Sequence, residues 1–200
     1  MTVPGDGAAR DDVPRRPVVA FQGETGAFSQ AAAERLVEGP LALLPCATFG
    51  DVVRAVVDAG ADYGVLPVEN LIAGPVAQAL DAMAHAPRLE RLRELTLPIR
   101  LALLGLPDSS RAQVREVLSH PVALRQCGRW LAMHPHVRVV EAPDTAGAAR
   151  MVAIRRDRHA AAIAAPWAAS HYGLTVLEEG LEDRGDNATR FVLVQRRREP

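Results

Sequence analysis

The sequence contains no lysine; all 23 of its basic residues are arginine. That absence excludes a Schiff-base lysine and the lysine of a phosphate-binding P-loop. Cysteine is scarce, with Cys46 and Cys127 far apart and no CxxC or zinc-ligand spacing. A disulfide scaffold is thereby excluded, and a reducing cytoplasm is the simpler reading. Aromatic residues make up only 4%, so Ala, Val and Leu must fill most of any core. Neither sign of charge dominates, since 23 basic residues against 24 acidic ones leave a net charge of -1. That balance argues against nucleic acid or an anionic membrane as the main partner. No run of 18 apolar residues occurs, so no membrane span is expected. Residues 1–16, MTVPGDGAARDDVPRR, lack the apolar stretch of a secretion signal and read as a disordered tail.

What remains is 200 residues, 48% hydrophobic, enough for one or two compact units with a real core. Val18–Phe21, Leu41–Leu44 and Tyr63–Val68 read as strands. Between and after them, Ser29–Val37, Phe49–Ala59 and Ala77–Ala84 read as helices. The stretch Leu92–Leu106 holds two strand-like runs around Pro98. Arg111–Leu118 reads as a short connecting helix and Val122–Met133 as a longer one. Strand Val137–Ala142, a helix capped by Asp144 and Thr145, strand Ala160–Ala165 and helix Trp167–His171 complete a second half. Phe191–Val194 is a last strand, expected to return to the first half. The pattern predicts an α/β protein of two lobes. Residues 17–96 with 177–196 form lobe 1, and residues 97–176 form lobe 2.

Ligands of open α/β folds sit where strands end, often between lobes. Four polar clusters occupy such places. Gly23-Glu24-Thr25-Gly26-Ala27-Phe28-Ser29 follows a strand and opens a helix whose free N–H groups could meet an anion. An ordinary β–α turn explains the same residues, and the spacing is not that of a dinucleotide site. Glu69-Asn70 ends a strand, where an Asn can orient a carboxylate or simply make a turn. Ser119-His120-Pro121 starts a helix, with Gln126 and Cys127 about one turn on. His120 fits either an acid–base role or a structural one, and Cys127 reads as a core thiol. Asp183 and Asn187-Ala188-Thr189-Arg190-Phe191 lead a polar loop into a strand, with Thr189 and Phe191 on one face and Arg190 on the other. Arg190 suits either carboxylate recognition or a surface ion pair. There is no HExxH, no serine nucleophile elbow and no metal-ligand cluster in the sequence. The inventory fits a small dicarboxylate and proton chemistry with no cofactor and no metal.

In this order and spacing the clusters resemble the catalytic domain of prephenate dehydratases and the related arogenate dehydratases. The matching stretches are AFQGETGAFSQAAAERL (20–36), DVVRAVVDAGADYGVLPVEN (51–70), LSHPVALRQCGRWL (118–131), DTAGAARMVA (144–153) and AAIAAPWAASHYGLTVLEEGLEDRGDNATRF (161–191). The resemblance implies a two-lobed, periplasmic-binding-protein-like (type II) α/β fold with the active site in the inter-lobe cleft. It implies a homodimer or homotetramer. It also implies conversion of prephenate, a dicarboxylate, to phenylpyruvate for phenylalanine biosynthesis. Thr189 would assist the leaving hydroxyl, Arg190 would position Thr189 or face a carboxylate, and Phe191 would support the ring or the cleft wall. Thr25, Gly26, Ala27, Ser29, Asn70, Ser119 and Gln126 match substrate-contacting positions. Where Gln195–Pro200 stand, such proteins usually begin a phenylalanine-binding regulatory domain, so feedback through one is not expected.

The match has departures. Leu71, Gly74 and Pro75 replace a hydroxyl-bearing pattern after Glu69-Asn70, and Arg100 and Leu101 stand where the family tends to carry His. On this reading Leu71 removes a hydroxyl close to the substrate, and Leu71→Ser raises activity. Three functions follow: a prephenate dehydratase, with arogenate as an alternative substrate; a non-aromatising prephenate decarboxylase; and a non-catalytic small-acid binding module. Retention of Thr189 favours the first.

Overall fold

The computed structural model describes residues 15–197. Most of the predicted N-terminal tail, residues 1–14, lies outside the described residues. Arg15, within that tail, ion-pairs with Asp62 at 3.0 Å.

The chain first lays down β1 (Val18–Gln22), α1 (Phe28–Leu36), β2 (Ala42–Cys46), α2 (Phe49–Val57), β3 (Tyr63–Asn70), β4 (Gly74–Pro75), α3 (Ala77–Ala84) and β5 (Leu89–Pro98). It then crosses to a second lobe. There it forms β6 (Ala102–Gly105), β7 (Glu116–Ser119), α4 (Pro121–Gln126), α5 (Gly128–Met133), β8 (Arg138–Glu141), α6 (Thr145–Arg155), β9 (Ala160–Ala164), α7 (Ala168–Tyr172) and β10 (Thr175–Glu179). β11 (Ala188–Arg196) returns to the first lobe.

The two sheets share one plan. Their orders are β2-β1-β3-β11-β5 and β8-β7-β9-β6-β10. In each, three parallel strands are followed by an antiparallel strand that arrives from the other lobe. Each lobe therefore lends a strand position to the other, and two crossovers, 99–101 and 180–187, join them. The α/β two-lobed architecture expected from the sequence is observed.

Small side chains make this packing possible. β9 is Ala-Ala-Ala-Ile-Ala and buried throughout, because helices cover both faces of its sheet. α6 lays Ala148, Ala149 and Val152 against it. In the first lobe, α2 starts with a capping box between Thr48 and Asp51 and buries Val52, Val53 and Val56. It approaches the sheet so closely that a Cβ on Gly64 would lie 3.0 Å from Val56 and 3.1 Å from Val52.

Several sequence expectations need correction. The helix expected over Arg111–Leu118 is a single 3-10 turn at Arg111–Gln113 followed by β7. Its helical composition yields to tertiary packing, since Val117 and Leu118 pair with both β8 and β9. The helix expected over Val122–Met133 breaks at Cys127, where the Asp183 carboxylate accepts the Gly128 and Arg129 N–H groups and starts α5. Strand β10 has no counterpart in the sequence pattern. It pairs with β6, so the return to the first lobe begins after Glu179 rather than at 177. At the other boundary β5 runs through Pro98, past the expected division at 97.

Candidate active site

Between the lobes lies a cleft of about 530 Å³. The first lobe contributes Gln22, Ala27, Phe28, Ser29, Thr48, Asn70 and Thr189. The second contributes His120, Val122, Arg125, Gln126, Asp144 and Thr145, with Ile99 and Leu101 in the crossover. Among the described residues no group of three or more His, Cys, Asp or Glu gathers as a metal site requires.

Asn70 and Gln126 of the cleft lining belong, with Asn187, to a closed ring of three side-chain amides. Asn70 Nδ2 donates to Asn187 Oδ1 at 3.0 Å. Asn187 Nδ2 donates to Gln126 Oε1 at 3.0 Å. Gln126 Nε2 donates back to Asn70 Oδ1 at 3.2 Å. One amide comes from the end of β3, one from the returning crossover and one from α4, so the ring joins both lobes.

The direction of the ring is fixed by the backbone. Asn70 Oδ1 also accepts the Ile72 and Ala73 N–H groups at 3.1 and 2.8 Å. A backbone N–H can only donate, so that atom is the oxygen and Nδ2 faces the other way. Nδ2 then donates to Thr189 Oγ1 at 2.9 Å. The Thr189 oxygen is thus occupied as an acceptor. Its own proton is free to point at whatever fills the cleft.

The first helix presents a second feature. α1 begins at Phe28 with Ala27 as N-cap and no side-chain cap. Ala27, Phe28 and Ser29 line the cleft, so uncapped backbone donors and the positive end of the helix face it. α6 differs, because Asp144 Oδ1 already accepts Gly147 N–H at 2.7 Å. Arg125 is the cationic side chain of the cleft lining, on the second-lobe side.

His120 is the N-cap of α4, and its Nδ1 accepts Val122 N–H at 3.2 Å. That bond requires an unprotonated Nδ1. Burial holds the imidazole below its ordinary value, aided by the Arg125 charge and opposed by the Asp144 and Glu141 carboxylates. Cys127 is fully buried, and burial with the charges of Asp183 and Glu182 pushes its thiol up to about 12. It is a core residue and no nucleophile.

Of the residues singled out from sequence, Thr189, Asn70, Gln126, Ala27 and Ser29 converge on the cleft. Others stand elsewhere. Phe191 is buried in the first-lobe core with Val19, Ala32, Ala33 and Leu36, not in the cleft wall. Arg190 projects from the opposite face of β11 and pairs with Glu69 at 3.0 Å and Glu94 at 3.1 Å. Those carboxylates raise its pKa, Glu94 first, and they occupy the guanidinium away from the cleft. Ser119 is fully buried, its hydroxyl donating to Ile163 O at 2.5 Å. The N-cap of α4 is His120, one residue on. Thr25 and Gly26 turn their carbonyls toward α7. Leu71 is 58% exposed and outside the cleft lining, whereas Leu101 is part of that lining. Asn187 completes the ring, yet the sequence offered only its place in a polar loop before a strand.

The chain matches, over residues 19–199, the family described as prephenate dehydratase. It is 39% identical over 179 residues to arogenate dehydratase 3, chloroplastic, of Arabidopsis thaliana, covering 89% of this chain and 42% of that one. Prephenate dehydratase from Arthrobacter aurescens, solved with L-Phe, superposes with a TM-score of 0.83 at 31% identity, over 91% of this chain and 61% of the other. GqqA, described as a novel type of quorum-quenching acylase, superposes with a TM-score of 0.80 at 34% identity, over 92% and 65%. The chain spans about half the length of the curated relatives it matches.

Proposed function

The chain belongs to the prephenate dehydratase family, and from that premise we propose that its cleft converts prephenate to phenylpyruvate, carbon dioxide and water. The ring carboxylate leaves as CO2, and its bonding electrons enter the ring. The ring hydroxyl leaves with its own electron pair and takes up one proton from solvent to become water. Aromatisation drives both departures, so the protein has to orient the dianion and stabilise charge on the departing oxygen.

The observation that carries this reading is the Thr189 hydroxyl, accepting from Asn70 and left free to donate into the cleft. A threonine hydroxyl is too weak an acid to give up its proton. It acts as a hydrogen-bond donor that strengthens as negative charge builds on the leaving oxygen. Support for dicarboxylate binding comes from the uncapped start of α1 and from Arg125. Acyl transfer, as described for GqqA, needs a nucleophile beside a base. Here Thr189 Oγ1 faces an amide donor and His120 Nδ1 caps a helix.

We further propose a homodimer or homotetramer working in a reducing cytoplasm, consistent with the two free cysteines. Light scattering of the purified chain tests the first point. The function is tested by incubation with prephenate at neutral pH and identification of products by mass and ultraviolet absorbance. Phenylpyruvate above the control without protein is expected. A product that has lost CO2 but kept its hydroxyl would make the chain a decarboxylase. Turnover of arogenate alone would reassign the substrate, and turnover of neither would leave a binding module.

A further inference from the structure

A second set of contacts joins the lobes, made by residues separate from the amide ring. Trp167 Nε1, on the second lobe, donates to Gly26 O on the first at 3.0 Å. Tyr172 donates its hydroxyl to Thr25 O at 2.7 Å. The Phe28 and Trp167 rings meet edge to face, 5.2 Å between centroids. Gly26 has φ +88°, and a Cβ there would sit 3.3 Å from Ala168 and 3.2 Å from His171. The turn therefore seats directly on α7, at a distance only glycine allows. Within the turn, Gly26 N–H donates to Gln30 Oε1 at 2.8 Å and Ala27 N–H to Glu24 O at 3.1 Å.

These contacts end at the cleft. Phe28 touches Trp167 and also lines the cleft beside Ala27 and Ser29. The helix start that faces the ligand is thus held by side chains of the opposite lobe. An indole and a phenol spent on two carbonyls of one turn make a latch, and what they fix is the place of the α1 donors.

We propose that Trp167 and Tyr172 are positioning residues: they latch the 24–28 turn across the lobe boundary and so hold the start of α1 where a substrate carboxylate binds. Neither touches the substrate. The kinetic half of the inference rests on the dehydratase reading; the latch itself does not. The side-chain carboxylate of prephenate takes no part in the bond changes and is bound equally in the ground and transition states, so losing its alignment raises KM and leaves kcat near its original value.

The test uses Trp167→Phe, Tyr172→Phe and the double variant, each of which keeps a ring in place while removing a donor. Amide hydrogen exchange and steady-state kinetics with prephenate are measured on the same preparations. In the double variant the Gly26, Ala27 and Ala31 amides are expected to exchange about tenfold faster, from loss of two hydrogen bonds. Exchange in β9 should stay unchanged, which reports an intact fold. KM is expected to rise about tenfold with kcat within about twofold. Unchanged exchange at the turn overturns the latch, whatever the turnover. Faster exchange with unchanged KM, or a fall in kcat at constant KM, overturns the positioning role. Failure of the unaltered protein to process prephenate overturns the functional reading, while the exchange result still decides the latch.

Discussion

Replacing Asn187 by aspartate exchanges one NH2 for one oxygen and breaks the amide ring without changing its shape. Asn187 is 1% exposed, so water cannot step in. In the native ring its Nδ2 donates to Gln126 Oε1 and its Oδ1 accepts from Asn70. The introduced carboxylate would set oxygen against Gln126 Oε1 at about 3.0 Å. Turning the Gln126 amide over satisfies the carboxylate but then sets Oε1 against Asn70 Oδ1. Asn70 cannot turn in response, because Ile72 and Ala73 N–H groups hold its oxygen. In either arrangement one acceptor of the ring lacks a donor, the introduced carboxylate in the first and the half-buried Gln126 Oε1 in the second. That costs about 1–3 kcal/mol. If the cost falls on the alignment of Thr189, kcat drops about 5- to 150-fold.

The Asn187→Asp variant also carries a pH signature. Burial among neutral amides raises the introduced carboxyl above the ordinary aspartate value of about 3.9. Once protonated, its O–H can donate to Gln126 Oε1 and close the ring again. The activity of Asn187→Asp relative to the native chain should therefore climb as pH falls through that raised value. Asn187→Leu, which has no proton to regain, should show a flat deficit. The assay is phenylpyruvate formation from prephenate across pH 8 to 5, with the spontaneous acid reaction subtracted at each point. Native kcat in Asn187→Asp at neutral pH, or a deficit indifferent to acid, refutes the ring as the device that orients Thr189.

Thr189→Ala removes the donor itself and should lower kcat about a hundredfold or more with little change in thermal stability, read by product assay and calorimetry. Leu71→Ser should leave kcat and KM within about twofold, contrary to the gain expected from sequence, because Leu71 stands outside the cleft lining; a tenfold gain would place it at the substrate. Ser119→Ala should lower stability by about 1 kcal/mol in denaturant titration and leave KM unchanged, since its hydroxyl serves Ile163 O. His120 has its folded value pushed below its ordinary 6.5, so the unfolded chain binds its proton first as pH falls. Its stability contribution is complete above pH 6.5 and is lost as pH drops through the lower folded value. His120→Asn keeps a capping acceptor, so the melting temperature of that variant should vary less over the same window.

The lobes were legible because β–α alternation and helix caps are local signals. The Asp144 cap is written within four residues. What failed depended on neighbours distant in sequence. β7 reads as helix until β8 and β9 are known to flank it, and β10 is an edge strand with a single partner. At the site, alternation along β11 correctly put Thr189 and Arg190 on opposite faces. It could not say that Phe191, on the Thr189 side, would be covered by α1. Asn70 and Gln126 were visible as amides near strand and helix ends. That they form a ring, and that Asn187 closes it, depends on three segments meeting, 56 residues apart at the nearest pair and 117 at the farthest.

The ring and the latch divide one task. A reaction driven by aromatisation does not need a strong acid, and among the described residues no acid group hydrogen-bonds Thr189. It needs a donor already aimed when the substrate arrives, because reorienting a hydroxyl during the reaction would add to the barrier. Gln126 ties that aim to the lobes, since it sits on α4 while Asn70 and Asn187 sit on β3 and the crossover. Separating the lobes would take Gln126 out of the ring and leave Asn70 Oδ1 on the Ile72 and Ala73 N–H groups alone. The Thr189–Asn70 pair therefore keeps its full set of ring contacts only while both lobes embrace the cleft. Independently, Trp167 and Tyr172 hold the α1 donors to the same condition. On the proposed dehydratase reading, ground-state binding and leaving-group assistance would rest on separate sets of contacts, so lesions in the two should separate into KM and kcat.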